Sequence, residues 1–191
     1  MENLAKRIRP YLRMTRQKHS KEIDDMEKFK VGIITVSDKG SKGQRVDESG
    51  PTIAEMIQAI GGIVERYVII PDEQEQIKAE LILMSDELGI NLILTTGGTG
   101  FSKRDVTPEA TLEVIQKLVP GIPEAMRAKS MQITPKAMLS RAQAGIRRNS
   151  LIINLPGSPK GVRENLEVVM PALRHGIEIL LGETSECARK E

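Results

Sequence analysis

At 191 residues, 39% apolar and 28% charged, the chain has the length and composition of one globular α/β domain with a real core, and is short for two. A single cysteine (Cys187) and two histidines far apart in sequence, His19 and His175, exclude an internal disulfide, a thiolate metal cluster and a Ser-His-Asp triad. The net charge of +2 hides an asymmetry: residues 1–28 hold eight Lys/Arg against five Asp/Glu, leaving 20 against 21 for the rest.

A body this close to neutral, with two Phe, two Tyr and no Trp, lacks the basic surface and stacking platforms of a nucleic-acid binder. No stretch approaches the ~18 consecutive apolar residues of a membrane span, and the first residues lack the apolar core of a secretory signal. The expected location is cytoplasmic, with no membrane span.

In chain order, residues 1–28 read as a basic, solvated arm interrupted by Pro10, or as a short amphipathic segment through Ile8 and Leu12 that contacts a partner copy or a membrane surface. Residues 31–36 read as a first buried strand, followed by Ser37-Asp38 and a flexible loop of small and basic residues, 39–43. Ser49-Gly50-Pro51 opens a helix with Ile53, Met56, Ile57 and Ile60 at helical spacing, stopped by Gly61-Gly62. A second strand over 63–70 ends in Pro71-Asp72-Glu73. Asp72 is placed to cap the next helix, in which Ile77, Leu81, Met84 and Leu88 keep helical spacing up to Gly89.

The third strand, 92–96, breaks abruptly into Gly97-Gly98-Thr99-Gly100. Thr107 then reads as a helix cap, with Pro108 at the first helical position. Pro120 to Pro123 interrupts the chain before a helix through Met126 and Met131 and a short one after Pro135. Residues 144–147 and 150–155 read as two strands around an Arg148-Asn149 turn, an antiparallel addition to a parallel sheet. Two apolar helical stretches, 162–170 and 172–181, close a domain spanning 29–184, and 185–191 form a polar tail.

Open α/β sheets gather ligands outside the carboxyl ends of their strands. Those ends carry Ser37-Asp38, Asp72, Gly97 to Gly100, and Gly157-Ser158, which are predicted to converge. The glycine loop is neither a Walker A loop, since no Gly-Lys-Ser/Thr follows, nor a dinucleotide fingerprint. Its N–H groups and the helix beginning near Thr107 can still hold phosphate. Asp72 and Asp105 suit Mg²⁺, which takes one or two carboxylates plus substrate phosphates; a helix cap and a surface carboxylate beside Lys103 and Arg104 are the plainer readings. Ser37, Thr96 and Thr99 can add hydrogen bonds or cap turns. Lys42, Lys103, Arg104 and Lys160 are available to offset phosphate charge.

Taken together, Thr96-Gly97-Gly98-Thr99-Gly100, Arg104-Asp105-Val106-Thr107-Pro108-Glu109-Ala110-Thr111, Leu139-Ser140-Arg141 with Gly145-Ile146-Arg147, Ile152 to Pro159, and Ile70-Pro71-Asp72-Glu73 resemble the molybdopterin adenylyltransferases of molybdenum cofactor biosynthesis, the Mog/MoaB-type proteins related to the gephyrin G domain. The resemblance runs from about residue 30 to 181. It implies a three-layer α/β/α domain that assembles as trimers, or hexamers in some members. It also implies a reaction in which molybdopterin and ATP give adenylyl-molybdopterin and pyrophosphate with Mg²⁺, the product passing to a molybdenum-insertion enzyme. Carried over by motif, Asp72 matches the family's catalytic aspartate and Asp105 the aspartate needed for holding or activating molybdopterin; the expected division of work assigns Asp72 to Mg²⁺ and Asp105 to substrate orientation. Gly97 to Gly100, Gly157 and Ser158 match the pterin- and nucleotide-binding walls, with Ser37, Asp38, Thr96 and Ser140 completing the expected binding set. Two other readings stand beside it: a non-catalytic molybdopterin-binding or scaffold protein of the MoaB type, and a nucleotide hydrolase related to the competence-damage proteins.

Overall fold

The computed structural model describes residues 28–182. His19, Cys187, the polar tail and all but the last residue of the basic arm lie outside that range. Six strands form one sheet in the order β2-β1-β3-β6-β5-β4. β1 (Phe29–Val36), β2 (Gly62–Ile70), β3 (Leu92–Thr96) and β6 (Ser150–Leu155) are mutually parallel. β5 (Ala144–Arg147) runs antiparallel to β6, turning back through Arg148 at φ 49°, as the Arg148-Asn149 turn predicts. A two-residue edge strand, β4 (Lys117–Leu118), pairs with β5; so short and exposed a strand has no periodicity to read in sequence.

Side chains alternate faces along a strand, and here both faces are apolar. Val31, Ile33, Leu92, Leu94, Leu151, Ile153 and Leu155 pack toward α2 (Ser49–Gln58), α5 (Gly121–Met131) and α6 (Pro159–Leu181). Ile34, Val36, Ile93 and Ile152 pack toward α3 (Gln74–Ile82) and α4 (Thr107–Val114). A sheet buried on both sides requires helices on both sides, and each buried branched side chain contributes about 1.5–3 kcal/mol. The expected three-layer α/β/α arrangement is the observed one. Asn154, fully buried in β6, donates to Thr95 and Thr111 at 3.0 and 2.9 Å and accepts from the Gln143 N–H, tying sheet to α4 with every bond satisfied.

Four local expectations change. Residues 38–41 are not a flexible loop but a helical turn, α1 (Asp38–Ser41), because Ser37 Oγ accepts the Gly40 N–H at 3.1 Å and caps it. After α3 the chain passes through a π-helical turn, Leu83–Glu87, whose wider spacing leaves Leu88 39% exposed instead of continuing the buried stripe. The two closing helical stretches are one continuous α6 carrying Pro171 inside it. Val162, Leu166, Val169, Leu173 and Ile177 are buried along one face across the proline, and that burial offsets a local cost of about 3 kcal/mol. Finally, neither Asp72 nor Thr107 caps its helix: Glu73 and Val106 occupy those positions, without side-chain caps.

Candidate active site

Because β2, β1, β3 and β6 are neighbours and parallel, their carboxyl ends lie side by side. The segments that follow them line a cavity of about 670 Å³ that includes Ser37, Asp72, Thr96, Gly97, Gly98, Gly157 and Ser158. The convergence expected from four separate motifs is present. A second cavity, of about 540 Å³, borders the next two residues of the glycine loop and is lined by Thr99, Gly100, Ser140, Ser130, Asn165 and Lys160 among others. Ser158 touches both. Gly97 to Gly100 is therefore a partition between two cavities.

The partition has an unusual backbone. Gly97 and Gly98 have φ of 97° and 63°, a region that penalises any side chain. A Cβ on Gly97 would strike the Val36 carbonyl, and one on Gly98 would strike Thr107 Oγ1 and come within 3.3 Å of Asp72 Oδ1. Among the described residues, the N–H groups of Gly98, Thr99 and Gly100 donate to no protein acceptor. Three consecutive free amides beside the N-terminus of α4 are donors of the kind that an anion can use.

Other bonds hold this loop in place. Gly97 N–H donates to the Leu155 carbonyl at 3.3 Å, Thr107 N–H to the Gly98 carbonyl at 3.2 Å, and Thr96 Oγ1 to the Pro156 carbonyl at 2.7 Å. Arg141 grips it from the far side: its main-chain N–H bonds to the Thr99 carbonyl, while its guanidinium donates to the Gly100 and Asp105 carbonyls at 2.7 and 2.6 Å and pairs with Glu109.

The carboxylates divide into distinct roles. Asp38 and Asp72 exchange main-chain bonds, Asp38 N–H to Asp72 Oδ2 at 2.8 Å and Asp72 N–H to Asp38 Oδ1 at 3.2 Å. Arg104 spans Asp38, at 3.1 and 3.0 Å, and Glu73, at 2.8 Å. That guanidinium holds Asp38 below the usual carboxylate range. Asp72 is pushed upward, first by burial and then by the negative charges of Asp38 and Asp105, against the opposing effects of the Asp38 N–H and Arg104. Asp105 lines neither cavity; its Oδ2 accepts the Ser102 N–H at 3.0 Å and shapes the loop end, while its charge reaches Asp72.

Of the other expected residues, Ser37 caps α1, and Ser158 caps α6 by accepting the Gly161 N–H at 3.1 Å. Asp38 stands behind Asp72 and outside the cavity lining. Arg104 is committed to carboxylates, and Lys42 and Lys103 line neither cavity; among the described residues, the cation that lines the first cavity is Arg45.

The 670 Å³ cavity has a further wall, residues 45–49, that the strand-end argument missed. Asp47 is its anchor. Its carboxylate accepts from Thr35 Oγ1 and Tyr67 Oη, both at 2.5 Å, and from the Ser49 and Gly50 N–H groups at 2.8 and 3.2 Å. Burial opposes ionisation of Asp47, but these hydrogen bonds outweigh it and hold the group below the ordinary aspartate value. Burial, then the Asp47 bond and charge, push Tyr67 up to about 12, so it remains a donor at neutral pH. An aspartate two residues before Ser49-Gly50-Pro51 was the available signal, since Asp commonly bonds the N–H groups that open a helix. Arg141 was present in the Leu139-Ser140-Arg141 motif, but nothing local reveals that its partners lie near residues 100–109.

The domain family described as "Probable molybdopterin binding domain" matches residues 32–175. The chain belongs to this family. A Helicobacter pylori (strain J99) molybdopterin adenylyltransferase is 44% identical over 167 residues, covering 86% of this chain and 95% of that protein. Gephyrin of Dictyostelium discoideum is 46% identical over 164 residues, covering 81% of this chain but 23% of the larger protein. Among solved structures, the molybdopterin biosynthesis enzyme MoaB of Thermus thermophilus superposes with a TM-score of 0.77 at 49% identity, covering 81% of this chain and 97% of that one. The matched range includes every site residue named above. The chain thus carries a domain of molybdenum cofactor biosynthesis.

Proposed function

We propose that the protein is a molybdopterin adenylyltransferase. Its reaction joins the terminal phosphate of molybdopterin to the α-phosphorus of ATP with loss of pyrophosphate. The observation that carries this reading is the glycine loop: a partition with free amides on its backbone, a cavity on each side and Asp72 at its edge. Two anionic substrates that must meet in line need such a wall, because positioning and charge neutralisation account for most of the catalysis of phosphoryl-type transfer. The names and identities of the relatives support the choice of substrate.

The second cavity takes the pterin: Met126, Ile133 and Leu139 offer apolar faces to a flat heterocycle, and Ser130, Ser140 and Asn165 offer polar groups to its edge. The first cavity takes the nucleotide phosphates, with Arg45 and the loop amides as donors and Ser37 and Ser158 at its rim. In the step itself, a molybdopterin phosphate oxygen forms the new bond to the α-phosphorus as the bond to the β-phosphate oxygen breaks, and pyrophosphate leaves.

Among the described residues, the possible metal ligands near Asp72 are carboxylate oxygens, with no imidazole or thiolate, which fits Mg²⁺. Among the described residues no group of three or more His, Cys, Asp or Glu is arranged as a metal cage. Asp72 would accordingly hold the ion together with substrate phosphates and water, and the ion would neutralise charge developing on the α-phosphoryl and the leaving group. Asp105 keeps its role in orienting molybdopterin through the loop end it shapes.

The expected trimer or hexamer, a molybdenum-insertion enzyme as recipient of the product, and a cytoplasmic location belong to the same proposal. No described helix is long and apolar enough to cross a membrane. A pyrophosphate-release assay with purified protein, molybdopterin, ATP and Mg²⁺ tests the reading. Release that requires molybdopterin supports it. Tight molybdopterin binding without pyrophosphate makes the protein a scaffold, and release without molybdopterin makes it a nucleotide hydrolase.

A further inference from the structure

Thr107 begins α4 and is completely buried, yet its hydroxyl has no hydrogen-bond partner among the described residues. A buried hydroxyl is nearly always paired. Thr111, one turn later, behaves ordinarily: it donates to the carbonyl four residues back at 2.9 Å and accepts from Asn154. Thr107, at the first helical position, has no preceding helical turn to bond.

The location of this hydroxyl gives it a meaning. The point that a Cβ on Gly98 would occupy is crowded by Thr107 Oγ1 and lies 3.3 Å from Asp72 Oδ1. The hydroxyl and the carboxylate oxygen therefore face one crevice, kept open by the lack of a side chain on Gly98. Asp72 Oδ2 is fixed by the Asp38 N–H at 2.8 Å, whereas Oδ1 accepts no bond from a described residue. A free donor and a free acceptor border the same space, and a threonine hydroxyl rotates to suit its partner.

We infer that Thr107 is a positioning residue for Asp72, its hydroxyl donating to Oδ1 directly or through one water when the site is loaded. The inference rests on the proposed role of Asp72 in holding a divalent cation with the nucleotide. With Oδ2 held by Asp38 and Oδ1 by Thr107, the plane of the carboxylate is set from both ends. The direction it presents to the cation is then fixed by protein and not by the cation alone. Groups that orient a metal ligand in this way change metal affinity or activity by about 10–100-fold when removed.

The experiment uses the full chain and its variants Thr107→Val, which keeps the shape and loses the hydroxyl, Thr107→Ser, which keeps the hydroxyl, and Asp72→Ala. Mn²⁺ affinity is read by electron paramagnetic resonance with a non-hydrolysable ATP analogue present, alongside Tm, kcat and the KM for molybdopterin. Thr107→Val is expected to bind Mn²⁺ about tenfold more weakly and to lose kcat by a similar factor. Its KM for molybdopterin stays unchanged and its Tm is equal or higher, since an unpaired buried hydroxyl has been removed; Thr107→Ser restores Mn²⁺ affinity. The inference is overturned if Thr107→Val binds Mn²⁺ like the parent. It is also overturned if valine and serine variants lose affinity alike with a lowered Tm, the signature of packing. If Asp72→Ala abolishes Mn²⁺ binding while Thr107→Val does not, only the role of Thr107 fails. Unchanged binding in Asp72→Ala removes the cation-holding reading together with this one.

Discussion

The Asp38 N–H donates to Asp72 Oδ2 at 2.8 Å, and the Asp72 N–H returns a 3.2 Å bond to Asp38 Oδ1. This reciprocal pair fastens the ends of β1 and β2 and aims Asp72 at the first cavity. Asp72→Ala should reduce turnover by at least 100-fold, since metal-assisted charge stabilisation is worth several kcal/mol. Molybdopterin binding, assigned to the opposite cavity, should be retained. Single-turnover kinetics beside a molybdopterin titration separates the two.

Arg104 is half exposed, and exposed ion pairs contribute roughly 0–1 kcal/mol, so Arg104→Ala should barely move Tm. Its effect should appear in pH dependence. Burial, with the charges of Asp38 and Asp105, raises the Asp72 pKa, while Arg104 lowers it. If Asp72 works ionised, activity disappears as pH falls through that raised value. Removing Arg104 raises it further, so the acid limb of the kcat/KM profile should move to higher pH. A limb that stays or moves downward would contradict this assignment.

Asp47→Asn tests the wall opposite the glycine loop. Hydrogen bonds to a charged group contribute about 1.5–3 kcal/mol, so the variant should lose about 2 kcal/mol in urea unfolding at neutral pH. The folded pKa of Asp47 is depressed. The stabilisation is therefore present above the unfolded value and is lost as pH falls through the folded one. The gap between parent and variant should close in that acidic range, and a gap constant down to low pH would mean that ionisation of Asp47 is immaterial.

Gly97→Ala and Gly98→Ala should each cost about 1–3 kcal/mol, because both positions have positive φ and lack room for a Cβ. Activity should fall further than stability explains. Gly97→Ala pushes the partition off the Val36 carbonyl, and Gly98→Ala fills the crevice next to Asp72. Thermal melts and turnover of the same preparations would show whether the two losses part company.

The four parallel strands and the meeting of their ends are legible because their apolar residues give way to Gly, Asp or Ser at the carboxyl end, whereas β4, two exposed residues long, has no such pattern. Asp72 and the glycine loop were legible for the same reason. The helix caps fall one residue away from Asp72 and Thr107, at Glu73 and Val106: Asp72 lines the first cavity instead, and Thr107 is already the first helical residue, a one-residue offset that a one-dimensional pattern does not resolve. Pro171 read as a break because local propensity weighs the proline and does not weigh the sheet that holds α6 together across it. Arg141 and Asp47 depend on partners distant in sequence, Gly100, Asp105 and Glu109 for one, Thr35 and Tyr67 for the other. Only the fold puts them at the site.

The central claim is that the glycine loop brings two anionic substrates together for transfer of an adenylyl group. Mass spectrometry of the product formed from molybdopterin, ATP and Mg²⁺ tests it most directly. The account predicts adenylyl-molybdopterin, with one pyrophosphate released for each molecule formed. Unmodified molybdopterin after full saturation, or nucleotide cleavage at the same rate without molybdopterin, would contradict it.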